Sequence, residues 1–424
     1  MTGLITKRRL SRVAGFTSAQ VALQLIGFAS GIVLVRHMAS AQYGVYTLSI
    51  SMLGVANVLL DLGLGTAVLA SGGPLYREPN RIGSVVADAW RLHARLVVIG
   101  AIVLVPAFAV MFAWQGLPIA QVATLSLMTI GCSMLTVRNV IAQSIVRLRN
   151  DLAVQQRLEI GVHAGKLLAV VAASLVLLDA TVAIALNLAA AAAMFWLLQR
   201  YLIRHLGDSI RPTGDHTPAF VAYIRQQTPN SLYYCISGQI TVFLVGLLGN
   251  AERVGEIGAL GRLSVFFTII GAVVAAFAQP YFARAGSRRE LIDAFIGLNI
   301  GFWLLTTALA TVALTHPGAL LWILGPRYAG LNVEVVWMVL AASLAAWAAA
   351  IYSVGAARHW VVPARLNVTL GIATLGLSAW LLDLSTVAGG FMMGTAVSAI
   401  ALLVAFGYVT ARMLEVSDRE EVPA

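Results

Sequence analysis

Residues 36–70 read RHMASAQYGVYTLSISMLGVANVLLDLGLGTAVLA. A short polar turn ends at Tyr43, and from Gly44 onward Asp61 is the single charged side chain. A helix over 44–70 would be about 40 Å long at 1.5 Å per residue, enough to cross a hydrocarbon core of about 30 Å. This stretch therefore reads as one membrane span. The rest of the chain has the same character. Of 424 residues, 59% are apolar and 11% charged, and the mean hydropathy is +0.86. A soluble domain carries about a quarter charged residues, so the composition excludes a soluble enzyme, a nucleic-acid-binding domain and a disordered chain.

Reading in windows of about 20 residues gives twelve spans: 13–35, 44–70, 96–114, 119–137, 158–178, 181–199, 228–249, 255–278, 291–315, 332–356, 362–382 and 387–410. The first follows Lys7, Arg8, Arg9 and Arg12 but is too long for a signal-peptide core, so it reads as a retained span. Net charge is +10. In a soluble chain that would raise nucleic acid as a partner; here it reports topology. With the N-terminus in the cytoplasm, outer loops carry only Arg36, Arg253 and Arg327, and spans hold Lys166, Arg262 and, at the inner end of the eleventh, Arg365. Every other Lys and Arg falls on an inner segment, which puts both termini inside.

The outer loops are short, the longest being about 316–331. The inner segments Tyr76 to His93 and Arg138 to Arg157 mix basic and apolar residues, as interfacial helices would. The halves also look like tandem repeats. VLVRHMASAQYGVYT at 33–47 and LVGLLGNAERVGEIG at 244–258 place Tyr43-Gly44 and Val254-Gly255 in equivalent positions, 211 residues apart. Six spans return each half to its starting side, so the repeats would be parallel. The expected architecture is all-α and integral to the membrane: a six-helix bundle over 1–206, a cytoplasmic connector over 207–227, and a second six-helix bundle over 228–424.

Catalytic motifs are missing. There is no Walker loop, HExxH, paired CxxC or GxSxG, and the seven histidines are scattered. Cys132 and Cys235 lie in apolar runs and suggest neither a disulfide nor a nucleophile. No enzyme activity, metal or cofactor is expected. What remains are polar groups at membrane depth, which are costly and tend to face a bundle interior or a wet cavity. They are Gln20 and Gln24, Asn57 and Asp61, Lys166, the group Asn230, Tyr233, Tyr234 and Ser237, and Arg262. For Lys166 and Arg262 snorkelling or helix pairing stands beside a ligand role. For the amides and tyrosines interhelical bonding stands beside it. Gly63 and Gly65 make Asp61 read as part of a tight helix end. Gly27-x-x-x-Gly31 and Gly297-x-x-x-Gly301 read as close helix packing.

Arg36 to Ala70 resembles the first two spans of Wzx-type lipid-linked oligosaccharide flippases, bacterial polysaccharide exporters of the MOP superfamily, which includes the MATE transporters. The matching residues are Tyr43, Gly44 and Asp61 to Leu64. Gly255, Arg262, Leu263, Gln279 and Pro280 are similar to the family's eighth span, and Gly325-Pro326-Arg327-Tyr328 to its turn before span 10. Val254 and Ile257 stand where tyrosines are frequent. Deep acidic residues apart from Asp61 are scarce, which favours an anionic substrate over a cationic drug.

The resemblance implies a MATE/MOP-like pair of bundles in a bacterial inner membrane. It implies transfer of a polyprenyl-diphosphate-linked glycan to the outer leaflet for O-antigen, capsule or exopolysaccharide assembly. Partners would be membrane lipids and polymerase or export machinery. By that resemblance spans 1, 2, 7 and 8 line a cavity between the halves. Arg262 would contact the diphosphate, Arg36 and His37 would sit near the outer exit, and Arg138 and Arg147 near the inner entrance. Gln20, Gln24, Asn57, Asn230, Tyr233, Tyr234 and Lys166 would be further substrate contacts, and Asp61 the candidate for ion coupling. Two alternatives stay open: a cation-coupled drug or metabolite exporter on the same fold, and a non-transporting membrane component of glycan assembly.

Overall fold

A computed structural model describes residues 4–75, 78–149, 151–274, 278–285, 287–358, 360 and 362–415. Among these there is helix and no strand. Among the described residues nine segments are long and apolar enough to cross a membrane. Among the same residues each of the twelve predicted spans falls largely on helix, residues 275–277 of the eighth lying outside them. In chain order the helices are α1 (Leu4–His37), α2 (Ser40–Asp61), α3 (Leu64–Gly72), α4 (Pro79–Trp114), α5 (Ile119–Leu148), α6 (Leu152–Ser174), α7 (Ala180–Leu206) and α8 (Thr217–Leu248). Then follow α9 (Ala251–Arg262), α10 (Val265–Val273), α11 (Gln279–Arg284), α12 (Arg288–Thr315), α13 (Pro317–Leu324), α14 (Asn332–Ala356), α15 (Ala364–Leu381) and α16 (Val387–Glu415). Helix α6 falls short of the nine because its inner half carries Arg157, Glu159, His163 and Lys166.

Two compact units emerge, one of residues 25–255 and the other of 1–24 with 256–424. In the first, the spans run on into a packed collar. Helix α4 has 36 residues, about 54 Å, well beyond a bilayer core. Its inner turns bury Ile82, Val85, Val86 and Ala89 against Ile141, Ile145, Leu198, Leu202 and Phe220. This corrects the interfacial-helix reading of 76–93 and 138–157. The apolar stripe there faces protein, and a hydrophobic period alone cannot distinguish a lipid headgroup layer from a neighbouring helix.

Asp88, fully buried on α4, holds the segment before α8. It accepts the Gly214 N–H at 2.8 Å, the His216 N–H at 3.3 Å and the Thr213 hydroxyl at 3.4 Å. Asp179 caps α7 by accepting the Val182 N–H at 2.7 Å.

Span 2 is broken. Leu62 and Gly63 adopt left-handed conformations, φ +42° and +84°, and split α2 from α3. Asp61 stabilises the break, accepting the Gly63 N–H at 3.2 Å and the Gly65 N–H at 3.0 Å, while Ser144 donates to Gly65 O at 3.0 Å. The bonds freed by the break are thus met by side chains, as a membrane interior demands. Asparagine keeps one acceptor and leucine keeps none. Asp61→Asn is therefore expected to cost about 1 kcal/mol and Asp61→Leu about 2 kcal/mol, with transport retained in the asparagine variant. Melting curves and a transport assay check this; if Asp61→Asn is inactive yet stable, ion coupling replaces the structural role.

The glycine reading needs correcting too. A methyl group on Gly27, Gly297 or Gly301 would meet no atom within 4 Å, so these are not points of close packing. Close approach to backbone occurs at Gly83 and Gly389, and also at the repeat-equivalent glycines. A methyl on Gly44 would overlap the Ala251 carbonyl, and one on Gly255 would lie 2.8 Å from Ser40 O. Shifting Ser40 and Gly44 by the repeat interval of 211 gives Ala251 and Gly255. Each contact is thus the mirror of the other, the signature of a local two-fold between equivalent helix starts.

The second unit is cored by Phe282, Phe295, Phe302, Ile351, Val354, Val409 and Met413, on α11, α12, α14 and α16. Arg358 ties α11 to the end of α14, donating to Phe282 O at 3.0 Å and Ala285 O at 2.8 Å. The predicted outer loop 316–331 folds as α13 and a 3-10 turn, Pro326–Tyr328, with Leu321, Leu324 and Tyr328 buried.

Candidate functional site

Helices α2, α5, α6 and α7 of the first unit enclose a cavity of about 340 Å³. Four turns of α5 send Cys132, Thr136, Asn139 and Gln143 to its wall, and α6 sends Glu159, Val162, His163 and Lys166. These spacings of three and four residues place each set on one helix face. Asn57 comes from α2 and Asn187 from α7.

Lys166 donates to Asn187 Oδ1 at 2.7 Å, and the Asn187 amide donates back to Ala183 O at 3.0 Å. The ammonium head is thereby held toward the cavity. Glu159 is engaged from the inner side: Gln155, buried, donates to it at 2.7 Å and accepts from Arg147 Nε at 3.2 Å. A polar chain therefore runs from an exposed arginine to the cavity wall.

Asn139, only 6% exposed, donates to Ala191 O at 3.0 Å, but its Oδ1 is buried with no donor among the described residues. Asn57 Oδ1 is in the same condition. Two buried carbonyl acceptors without donors are costly, and both lie on the wall of this one cavity. The arrangement suits a ligand that brings hydroxyl donors and accepts from an ammonium. Among the described residues no group of acids, cysteines and histidines could hold a metal ion.

The structure brings Asn57 and Lys166 to one cavity wall and links Arg147, through Gln155, to Glu159 on that wall. Arg138 is half-buried with its guanidinium 6.0 Å from the centre of the Phe195 ring, off the cavity wall. Arg36 and His37 end α1 and are exposed, with His37 Nδ1 2.9 Å from Val33 O. Gln20, Gln24 and Arg262 belong to the second unit. The side chains of Asn230, Tyr233, Tyr234 and Ser237 lie outside the described residues, as does that of Pro280. Sequence reasoning missed Asn139, Gln143, Gln155 and Asn187, although the helical spacing on α5 and α6 announces three of them.

No family model matches the sequence, and no curated protein matches it. Solved structures do match in fold. An inward-facing multidrug-resistance MATE transporter of the MOP superfamily superposes with a TM-score of 0.67 at 13% identity, over 92% of this chain and 94% of that one. The lipid II flippase MurJ in an inward closed conformation gives 0.70 at 13% identity, over 93% and 87%. A MOP superfamily transporter from Pyrococcus furiosus, described by a binding pocket of reverse polarity, gives 0.57 at 13%, over 95% and 94%. The chain has the multi-helix membrane fold that MATE/MOP transporters and MurJ share.

Proposed function

We propose that this chain is a flippase, moving a polyprenyl-diphosphate-linked oligosaccharide from the inner to the outer leaflet of a bacterial cytoplasmic membrane. The surface glycan it serves would be an O-antigen, capsule or exopolysaccharide, with polymerase or export machinery downstream. The observation that carries the reading is the membrane-depth cavity, where Asn57 and Asn139 carry buried carbonyl oxygens with no donor among the described residues and share a wall with Lys166. Sugar hydroxyls meet such acceptors, and an ammonium favours a phosphorylated headgroup. Crossing hydrocarbon with that headgroup unpaired would be prohibitive, so a polar lining at membrane depth is the physical requirement. The one carboxylate on the wall, Glu159, is engaged by Gln155, which suits an anionic substrate better than a cationic drug. By family resemblance Arg262 is the further diphosphate contact.

The test is mass spectrometry of polyprenyl-linked glycans from cells lacking the gene. One lipid-linked oligosaccharide is expected to accumulate, to clear with the wild type, and to persist with Arg262→Ala. Full rescue by Arg262→Ala would remove that residue from the site. No accumulation, with intact surface glycan, would overturn the flippase reading in favour of small-molecule export.

A further inference from the structure

On the outside of the same bundle, α6 and α7 leave a groove of about 430 Å³. Its floor is made of small residues from both helices, Gly161, Gly165 and Ala169 facing Ala189, Ala190 and Ala193. Leucines line the remainder. Two cations line it, Arg157 and Lys166, and no acid does. Val162, Lys166 and Ala190 line both the groove and the polar cavity, so one layer of side chains separates the two. The Lys166 stem lies along the groove while its head bonds Asn187.

We propose that this groove seats the hydrocarbon chain of a single-chain anionic lipid, a polyprenyl phosphate or diphosphate, with Arg157 on its phosphate. The assignment deepens the flippase reading and rests on it for the substrate class. The charge distribution places Arg157 at the inner end of span 5, and Lys166 lies nine residues, about 13 Å, further toward the membrane centre. An inner-leaflet lipid has that layout: phosphate at the surface, chain running inward. Arg157 is exposed and, among the described residues, no carboxylate pairs with it.

Bilayer lipid is as apolar as any groove, so selection there rests on close packing and charge rather than on the hydrophobic effect. A cleft floored by glycine and alanine between two helices fits one chain closely. A diacyl phospholipid must place two chains beneath one headgroup.

Gly161 and Gly165 make the test clean. A methyl on either meets no protein atom within 4 Å, so a larger side chain there starts into open groove rather than into the bundle. The full-length protein is titrated with polyprenyl diphosphate and, separately, with phosphatidylglycerol, and bound lipid is read by native mass spectrometry. Gly165→Leu and Arg157→Gln are each expected to weaken polyprenyl diphosphate about tenfold and leave phosphatidylglycerol unchanged. Gly297→Leu, an exposed glycine on α12 with equal room, is expected to change neither. Equal loss of both lipids would make the groove ordinary lipid-facing surface, and no loss would remove it as a site; either overturns the proposal. If binding falls as expected while deletion cells accumulate no lipid-linked glycan, the groove stands and the flippase reading fails.

Discussion

Gly44→Ala is expected to destabilise the protein by about 3 kcal/mol or more, lowering its apparent melting temperature in detergent by about 5 °C. The added methyl has no free rotamer to escape into, because the group it would strike is the Ala251 carbonyl on the backbone of α9. One helix start must move off the other. Gly255→Ala is expected to cost less, since its methyl would lie 2.8 Å from Ser40 O, a smaller overlap than at Gly44 although again with backbone. Gly27→Ala meets open space and gains helix propensity, so it is expected to be neutral or slightly stabilising. The ranking is the prediction: thermal unfolding of the three purified variants should order them 44, 255, 27. Equal melting for Gly44→Ala and Gly27→Ala would mean that α2 and α9 do not cross at these glycines. Because Ser40–Gly255 and Gly44–Ala251 are reciprocal under the 211-residue repeat, a loss at both glycines would also support descent of the two halves from one six-helix unit.

The spans were legible because the membrane imposes one requirement, length and apolarity, that a single sequence displays. What failed to show is what lies opposite a residue. Gly27 and Gly297 sit in small-xxx-small patterns, yet a methyl on either meets no atom within 4 Å, whereas Gly44 and Gly255, in the equally plain patterns Ser40-x-x-x-Gly44 and Ala251-x-x-x-Gly255, approach a facing backbone closely. The period of a helix says which residues share a face but not whether that face meets protein, lipid or another glycine. Residues 79–93 went astray for this reason, their apolar stripe being covered by α5, α7 and α8 rather than by headgroups.

The break at Leu62 was half visible. Asp61, Gly63 and Gly65 announced a helix end, but a left-handed leucine has no sequence signature. The site divides similarly. Gln155, Glu159, His163 and Lys166 fall at steps of four, four and three, a polar stripe on one face of α6 that period alone exposes. Reading Lys166 as an isolated lysine hid its company. Asn187, the one amide in the apolar run 182–198 of α7, becomes meaningful only when α7 is placed against α6.

Lys166→Gln separates a ligand contact from interhelical bonding. A glutamine amide can still donate across to Asn187 Oδ1, so a lysine that only joins α6 to α7 should be replaceable at little cost. If the ammonium serves an anionic headgroup, the neutral variant keeps the fold and loses the attraction. Hydrogen bonds to charged groups are worth about 1.5–3 kcal/mol, which is roughly a tenfold to hundredfold change in transfer. The expected result is a melting temperature within about 2 °C of the wild type and transfer of lipid-linked glycan lowered at least about tenfold. Lys166→Arg keeps the charge on a longer, planar head, so partial activity is expected from it. Wild-type transfer with Lys166→Gln would reduce Lys166 to a strut between two helices. Loss of folding in both variants would place its bond to Asn187 among the supports of the bundle, with Asn57 and Asn139 left as the groups to vary in the cavity.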